Sequence, residues 1–505
     1  MTASLGWDQE QPWCQGRITP LTNETSYLFG IAGVHEWRSA RRPRERGCGI
    51  LPVERLRDSL TRGMRRIPRI SLAFALAVAL GACSTATKVK PSTAVGPATR
   101  YVLHNGVRVL VQEYPSSEVV AVQLWVRAGG RDEAPTELGL AHYLEHMLFK
   151  GTTTRPKGFV ERDVEGVGGR VNAGTSQDFT YYHAVLPASR AVPTIEMFAD
   201  MSVNSALDET ELELEKKVVI EEMRLSEDAP QRFLVRQLSG MVFDSHPYGR
   251  SVLGTPEIIQ KLTRDTLLAF YRRHYVPESF TLVVVGPVKP AEILQAAERT
   301  LGRLPRSGFQ RLPQSMPTTL MPKKTEAQRP EALAYLGMGW LGPKLDHADT
   351  PAVDLLVSIL GEARSSRLPQ SLRERLGLVN SVRADYQALE AGGAIMVTAQ
   401  LEAQNLDRVE SGILSEIRRV RDQGVTDDEL RRAITRAEAE HAFRSETAEG
   451  RAWLLGRAET VWRLSEELAY IDRLRSVTPD QIRFAACRYL DPERYGRLAF
   501  VPPPR

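Results

Sequence analysis

Apolar residues recur along this chain in two rhythms, one helical and one alternating. In the stretch 139–151, Leu140, Leu144, Met147 and Leu148 share one face of a helix at about 100° per residue. The opposite face carries His142, Glu145 and His146. Pro135 and Thr136 mark the expected start of this helix and Gly151 its stop. Ahead of it, Tyr101–Glu113 predicts a hairpin turning at Asn105-Gly106, and Val119–Ala128 predicts another strand. Behind it, Asn172–Leu186 reads as one long strand rich in Thr, Tyr and Val. Residues 191–206 and 209–228 read as helices, and Phe280–Val285 as a short apolar strand.

The second half repeats this plan. Thr263, Asp265, Pro277 and Glu278 recur as Thr478, Asp480, Pro492 and Glu493, each offset by 215. Both sets follow a helical stretch and precede a strand, Leu282–Val285 in one case and Leu498–Val501 in the other. A fixed offset points to a duplicated unit. Between the copies, 303–330 holds five prolines and little periodicity, which predicts a linker. The expected architecture is α+β: two homologous mixed α/β domains in tandem, 98–302 and 331–505, each a sheet packed with helices.

Composition adds limits. A chain of 505 residues exceeds one ordinary core, and 42% hydrophobic with 25% charged residues is a globular balance. The net charge of +4 owes much to an Arg-dense stretch at 38–69, and no basic-aromatic stripe follows, so nucleic-acid binding is not expected. The four cysteines form no Cys-x-x-Cys pair, which supports neither a thiolate metal site nor a disulfide framework.

The front end reads as an address. Residues 64–83 run from a basic start at Met64 through a short apolar segment to Leu80-Gly-Ala-Cys83, the layout of a secretory signal. The last four residues resemble a bacterial lipobox, and the alternative is an ordinary signal peptide. The first reading makes Cys83 a lipidated N-terminus that tethers the protein through buried acyl chains. With Ser84 next, it implies the outer membrane of a Gram-negative cell, facing the periplasm. Residues 1–63 then read as an upstream or disordered extension, and 84–97 as a flexible tether.

The candidate chemistry sits on two helices. Two imidazoles one turn apart, about 40° around the helix, can bind one zinc ion, and a carboxylate beside that metal can take a proton from water. Zinc takes a third protein ligand. Glu215 and Glu222 stand two turns apart and about 20° out of line on the 209–228 helix, with Val218 and Val219 between them. Two acids in an otherwise buried stripe require a partner, which a metal ion would supply; the other reading is a solvated helix with ordinary surface acids.

These motifs together resemble the pitrilysin/insulinase family of zinc metallopeptidases, which includes the mitochondrial processing peptidases. His-x-x-Glu-His is the inverzincin signature, and Glu222 follows His146 by 76 residues. Gly168–Thr175, Thr180-Tyr181-Tyr182, His246-Pro-Tyr-Gly249, Val252-Leu-Gly254, Ser365-Ser-Arg-Leu368, Leu372-Arg373-Glu374 and Gly377-Leu378 resemble further family segments, so the likeness spans about 100–505. It implies that His142, His146 and Glu222 bind one zinc, that Glu145 is the catalytic acid/base and that Glu215 orients a ligand. It also implies that Asn172, Ala173 and Thr175 bind an extended peptide by strand addition and that Arg373 assists from the second half. The implied activity is cleavage of extended or unfolded peptides.

One position departs from the family pattern. Active members often pair the second-half Arg with a Tyr seven residues on, and here Arg373 is followed by Asn380. Either a sister subunit supplies that pair or a homodimer works with the amide. A non-catalytic assembly or peptide-binding subunit on the same fold is the reading from another class.

Overall fold

Two mixed sheets carry the chain. The computed structural model describes residues 91–95, 97–316 and 320–503, all within one compact unit. The expected extension 1–63, the signal segment 64–83 with Cys83, and residues 84–90 of the tether lie outside the described residues. No helix among the described residues is long and apolar enough to cross a membrane.

In the first half the strands are β1 (Pro91–Val95), β2 (Ala98–Val102), β3 (Arg108–Glu113), β4 (Val119–Val126), β5 (Arg170–Thr175), β6 (Thr180–Pro187) and β7 (Phe280–Gly286). The main helices are α1 (Leu140–Leu148), α2 (Ala191–Asn204), α3 (Glu209–Glu227), α4 (Pro230–Phe243) and α5 (Arg264–His274). The second half has β8 (Lys323–Gln328), β9 (Ala334–Gly342), β10 (Ser381–Ala388), β11 (Gly393–Leu401) and β12 (Gly496–Val501). Its main helices are α6 (Thr350–Val357), α7 (Leu406–Gln423), α8 (Asp427–Arg444), α9 (Ala448–Val461) and α10 (Pro479–Tyr489).

The two sheets share one topology. The first runs β1-β2-β3-β7-β4-β6-β5 and the second β10-β11-β9-β12-β8. In each, the last strand of the half enters the middle, parallel to the first strand of the shared five and antiparallel to the second. The repeated Thr residues are helix caps: Thr263 accepts from Thr266 N and Thr478 from Gln481 N. The duplication expected from the 215-residue offset is therefore present in the strand order.

Alternating side chains of β3, β4 and β7 serve two different cores. Val109, Val111, Val122, Leu124, Leu282 and Val284 pack with helices of their own half. Leu110, Ala121, Trp125, Val283 and Val285 pack instead against Ala448, Ala452, Leu455 and Ala458 of α9, from the second half. The reverse also holds. Leu234, Leu238 and Val242 of α4 cover Ala394, Met396, Leu498 and Phe500 of the second sheet. Each half lends one helix to the other's sheet. Glycines permit the close approach: a Cβ on Gly456 would lie 2.1 Å from Nε1 of Trp125, and one on Gly339 2.5 Å from Cγ2 of Val242.

Three sequence expectations change. Asn172–Leu186 is not one strand but the hairpin β5–β6. Its turn lacks Gly and Pro and is fixed by distant partners, since Asp178 accepts from Arg131 Nη1 (3.0 Å), Tyr248 OH (2.6 Å) and Glu390 N (2.9 Å). Part of the expected tether, Pro91–Val95, pairs with β2. Part of the expected linker, Lys323–Gln328, is the edge strand β8.

The expected hairpin at the start of the first domain is β2–β3, and Gly106 takes the left-handed φ of +100° in its turn. The proline-rich segment also contributes Arg311, buried between the halves. Arg311 donates to Asp132 at 2.9 and 2.6 Å and to Glu390 at 2.7 Å.

Candidate metal centre

Helix α1 begins later than its sequence suggests. Pro135 and Thr136 lie in a turn, and the helix starts at Leu140 after Gly139, which has φ +92°. A Cβ on Gly139 would come within 2.7 Å of the Leu253 carbonyl, so only glycine fits this junction. The first turn is capped from a distance. Buried Glu133 accepts from Gly139 N (2.9 Å) and Ala141 N (2.8 Å). No local capping pattern announces it, because Glu133 lies six residues before the Gly139 cap. Leu140, Leu144, Met147 and Leu148 are fully buried, as their spacing predicts.

That anchoring turns His142, Glu145 and His146 toward α3. Glu215 and Glu222 are 5% and 8% exposed, with Val219 buried between them. Val218 is half-exposed, so the buried stripe is narrower than expected. The solvated-helix alternative for these acids is therefore not what the structure has.

The Nε2 atoms of His142 and His146 are 3.3 Å apart. Oε2 of Glu222 lies 3.6 Å from the first and 3.5 Å from the second. A tetrahedral zinc ion bound at about 2.0–2.1 Å spaces its donors by roughly 3.3–3.5 Å. The three side chains thus already form one face of such a tetrahedron. Neither oxygen of Glu222 has a hydrogen-bond partner, although both are buried. A buried carboxylate left this way is costly unless a cation completes it. Among the described residues this is the only set of three candidate metal-holding groups so close together. The residues present fit zinc.

The surrounding charges separate the two imidazoles. Burial and the neighbouring His146 push His142 down to about 4. Burial also opposes a proton on His146, but contacts with Glu215 and Glu222 outweigh it and raise His146 to about 10. Nδ1 of His146 meets Oε1 of Glu215 at 2.9 Å, which leaves Nε2 for the centre. Burial works against an ionised Glu215, yet His146 and Lys150 hold it below the usual carboxylate range.

Glu145 is 9% exposed, and its Oε2 accepts from the Thr175 hydroxyl at 2.5 Å. Burial pushes its carboxyl up to about 7, with His146 and Thr175 opposing. Thr175, expected to meet substrate, therefore also holds the candidate base, a role that spacing alone did not reveal. Asn172, Ala173 and Thr175 lie on β5, the edge strand of the first sheet. They share the wall of a cavity of about 630 Å³ with His142, Glu145 and His146. The second half supplies the facing wall, including Asp354, Glu362 and Glu440.

Arg373 does not line this cavity; its side chain is 49% exposed and nears Glu374 at 4.0 Å. The helical segment Pro369–Arg375 buries Leu372, which leaves its neighbour Arg373 facing outward. Asn380 is exposed as well.

The other family-like segments have structural tasks. Tyr248 of the His246–Gly249 segment donates to Asp178 and accepts from Ala391 N at 2.9 Å, linking the halves. Gly254 presses on the Leu138–Gly139 backbone, where a Cβ would come within 2.3 Å of the Leu138 carbonyl.

Comparison with known proteins agrees with this geometry. The family model for insulinase (peptidase family M16) matches residues 108–256, and the one described as the peptidase M16 inactive domain matches 261–437. An uncharacterized zinc protease of Streptomyces coelicolor is 30% identical over 419 residues, which are 80% of this chain and 89% of that protein. The chain belongs to the insulinase (peptidase M16) family. A second relative in the family, an uncharacterized zinc protease of Bacillus subtilis, is 31% identical over 66% of this chain and 80% of its own.

Solved structures share the fold. A Helicobacter pylori protease aligns with TM-score 0.76 at 22% identity, over 81% of this chain and all of that one. A Pseudomonas fluorescens structure titled as an M16 inactive domain aligns with TM-score 0.74 at 20% identity, over 81% and 98%. The pitrilysin/insulinase resemblance and the tandem α+β fold both stand. In this M16 chain the three-donor set lies in the part matched by the insulinase model, not in the part matched by the inactive-domain model.

Proposed function

We propose that this M16 chain is a zinc-dependent endopeptidase acting on extended or unfolded peptides. The observation that carries the reading is the donor triangle of His142, His146 and Glu222, in which neither buried Glu222 oxygen has a hydrogen-bond partner. Zinc held there would supply Lewis acidity toward a peptide carbonyl and toward water. Glu145 receives the proton at its carboxylate and returns it to the leaving amine. Thr175 fixes the carboxylate during both transfers. The edge strand β5 offers unpaired backbone groups to an extended peptide, which favours unfolded chains over folded ones.

The outward-facing Arg373 and Asn380 favour pairing with a second M16 chain, a copy or a sister subunit, whose residues complete the substrate contacts. The lipobox-like Leu80–Cys83 supports a lipid tether at the outer membrane, facing the periplasm.

The test is the purified chain, alone and with a candidate sister subunit, on a quenched unfolded-peptide library. The expectation is about one zinc per chain and a loss of roughly 10²–10⁴-fold in cleavage for Glu145→Gln, with zinc retained. A chain that binds no zinc, or a Glu145→Gln variant of full activity, overturns the reading and leaves the non-catalytic peptide-binding subunit.

A further inference from the structure

Lys150 lies two residues beyond the end of α1, outside the His-x-x-Glu-His motif. Its N–H closes the last turn by donating to Met147 O at 3.1 Å. The next residue, Gly151, has φ +110° and turns the chain away. This arrangement carries the Lys150 side chain back toward α3, where Nζ meets Oε2 of Glu215 at 2.7 Å. The other oxygen of Glu215, Oε1, meets Nδ1 of His146 at 2.9 Å. Both oxygens of this buried carboxylate are thereby committed, one to the ammonium and one to the imidazole. The Lys150 side chain is itself only 20% exposed.

We infer that Lys150 is a positioning residue for the metal centre, acting through Glu215 to fix the ring of His146 and so to set zinc affinity. This rests on the zinc reading of the site. The geometry supports it, because Lys150 holds the one Glu215 oxygen that His146 does not. Without Lys150, Glu215 keeps a single partner and can rotate away from Nδ1 of His146. The imidazole then loses the restraint that aims Nε2 at the donor triangle. Partners one step behind a metal ligand are commonly worth 10–100-fold in metal affinity, and Lys150 stands one step further out.

The test measures zinc affinity, not turnover, by competition between the full chain and a chromogenic zinc chelator. Lys150→Met should weaken zinc binding about tenfold, while Lys150→Arg, which keeps the charge, should stay within about threefold. In a Glu215→Gln background the Lys150→Met loss should shrink to near nothing, because Lys150 acts only through that carboxylate. Unfolding of the zinc-free proteins is followed in parallel. If Lys150→Met fails to fold, the Lys150→Arg and Lys150→Gln pair carries the comparison.

Equal zinc affinity in wild type and Lys150→Met, or an undiminished loss in the Glu215→Gln background, overturns the inference while leaving the zinc site standing. A wild-type chain that binds no zinc, matched by His142→Ala, instead overturns the reading beneath it.

Discussion

The two halves share a five-strand order and a set of helices, yet Glu215 and Glu222 in one and the half-buried Asp354, Glu362 and Glu440 in the other shift in opposite directions. In the first half, burial works against ionised Glu215 and Glu222, but neighbouring imidazoles, with Lys150 beside Glu215, hold both below the usual range. In the second half, burial dominates at Asp354, Glu362 and Glu440 and pushes them up to about 8, 7 and 8. Arginines act on these groups only as opposing charges, and no imidazole pair faces them. The scaffold supplies a place for acids on both sides. What makes one side a candidate metal centre is the imidazole pair on α1. In the corresponding position after β9, α6 carries no histidine.

The sharpest way to break this difference is to remove the third donor. Glu222→Ala should abolish stoichiometric zinc and lower cleavage by about 10³-fold or more, measured by metal analysis and peptide assay. Next in size is the ion-pair group that holds the halves together. Arg311→Met leaves buried Asp132 without its cation, while Glu390 keeps Arg127, and should cost about 3 kcal/mol in chemical unfolding. Smaller again is the exchanged-helix contact. Gly456→Val forces a side chain onto Trp125 and should cost about 1–3 kcal/mol, read as a lower unfolding midpoint.

The smallest effect sharpens the carboxylate contrast. Asp354 has a folded pKa above its ordinary value of 3.8. Its stabilising contribution is full below the unfolded value and is lost as pH rises through the folded value of about 8. Asp354→Asn removes that titration. The variant should gain on wild type in melting temperature between about pH 4 and about pH 8, with the two nearest each other at the acid end.

Much of this is legible in the sequence. The period of Leu140, Leu144, Met147 and Leu148 gave the buried face of α1, and so the facing of both histidines. The 215-residue offset gave the duplication, because helix caps at Thr263 and Thr478 are local chemistry. What stayed hidden was held by distant partners. The β5–β6 turn has no Gly or Pro, since Arg131, Tyr248 and the Glu390 backbone make it. Edge strand β8 begins right after a proline-rich stretch, and its pairing partner on β12 lies 173 residues away in sequence. Arg373 had the right motif, but which way it faces depends on how Leu372 packs. For α4 and α9 the sequence leaves open whose sheet each covers.

That last ambiguity has a historical side. If the ancestor of these repeats was a single unit, its sheet needed a neighbour's helix to be covered, and so it existed as an interlocked pair. Fusing two such units end to end kept both loans in force, one helix in each direction. The two copies can then differ in chemistry but not in shape, because Trp125 of the first half rests on Gly456, which the second half provides.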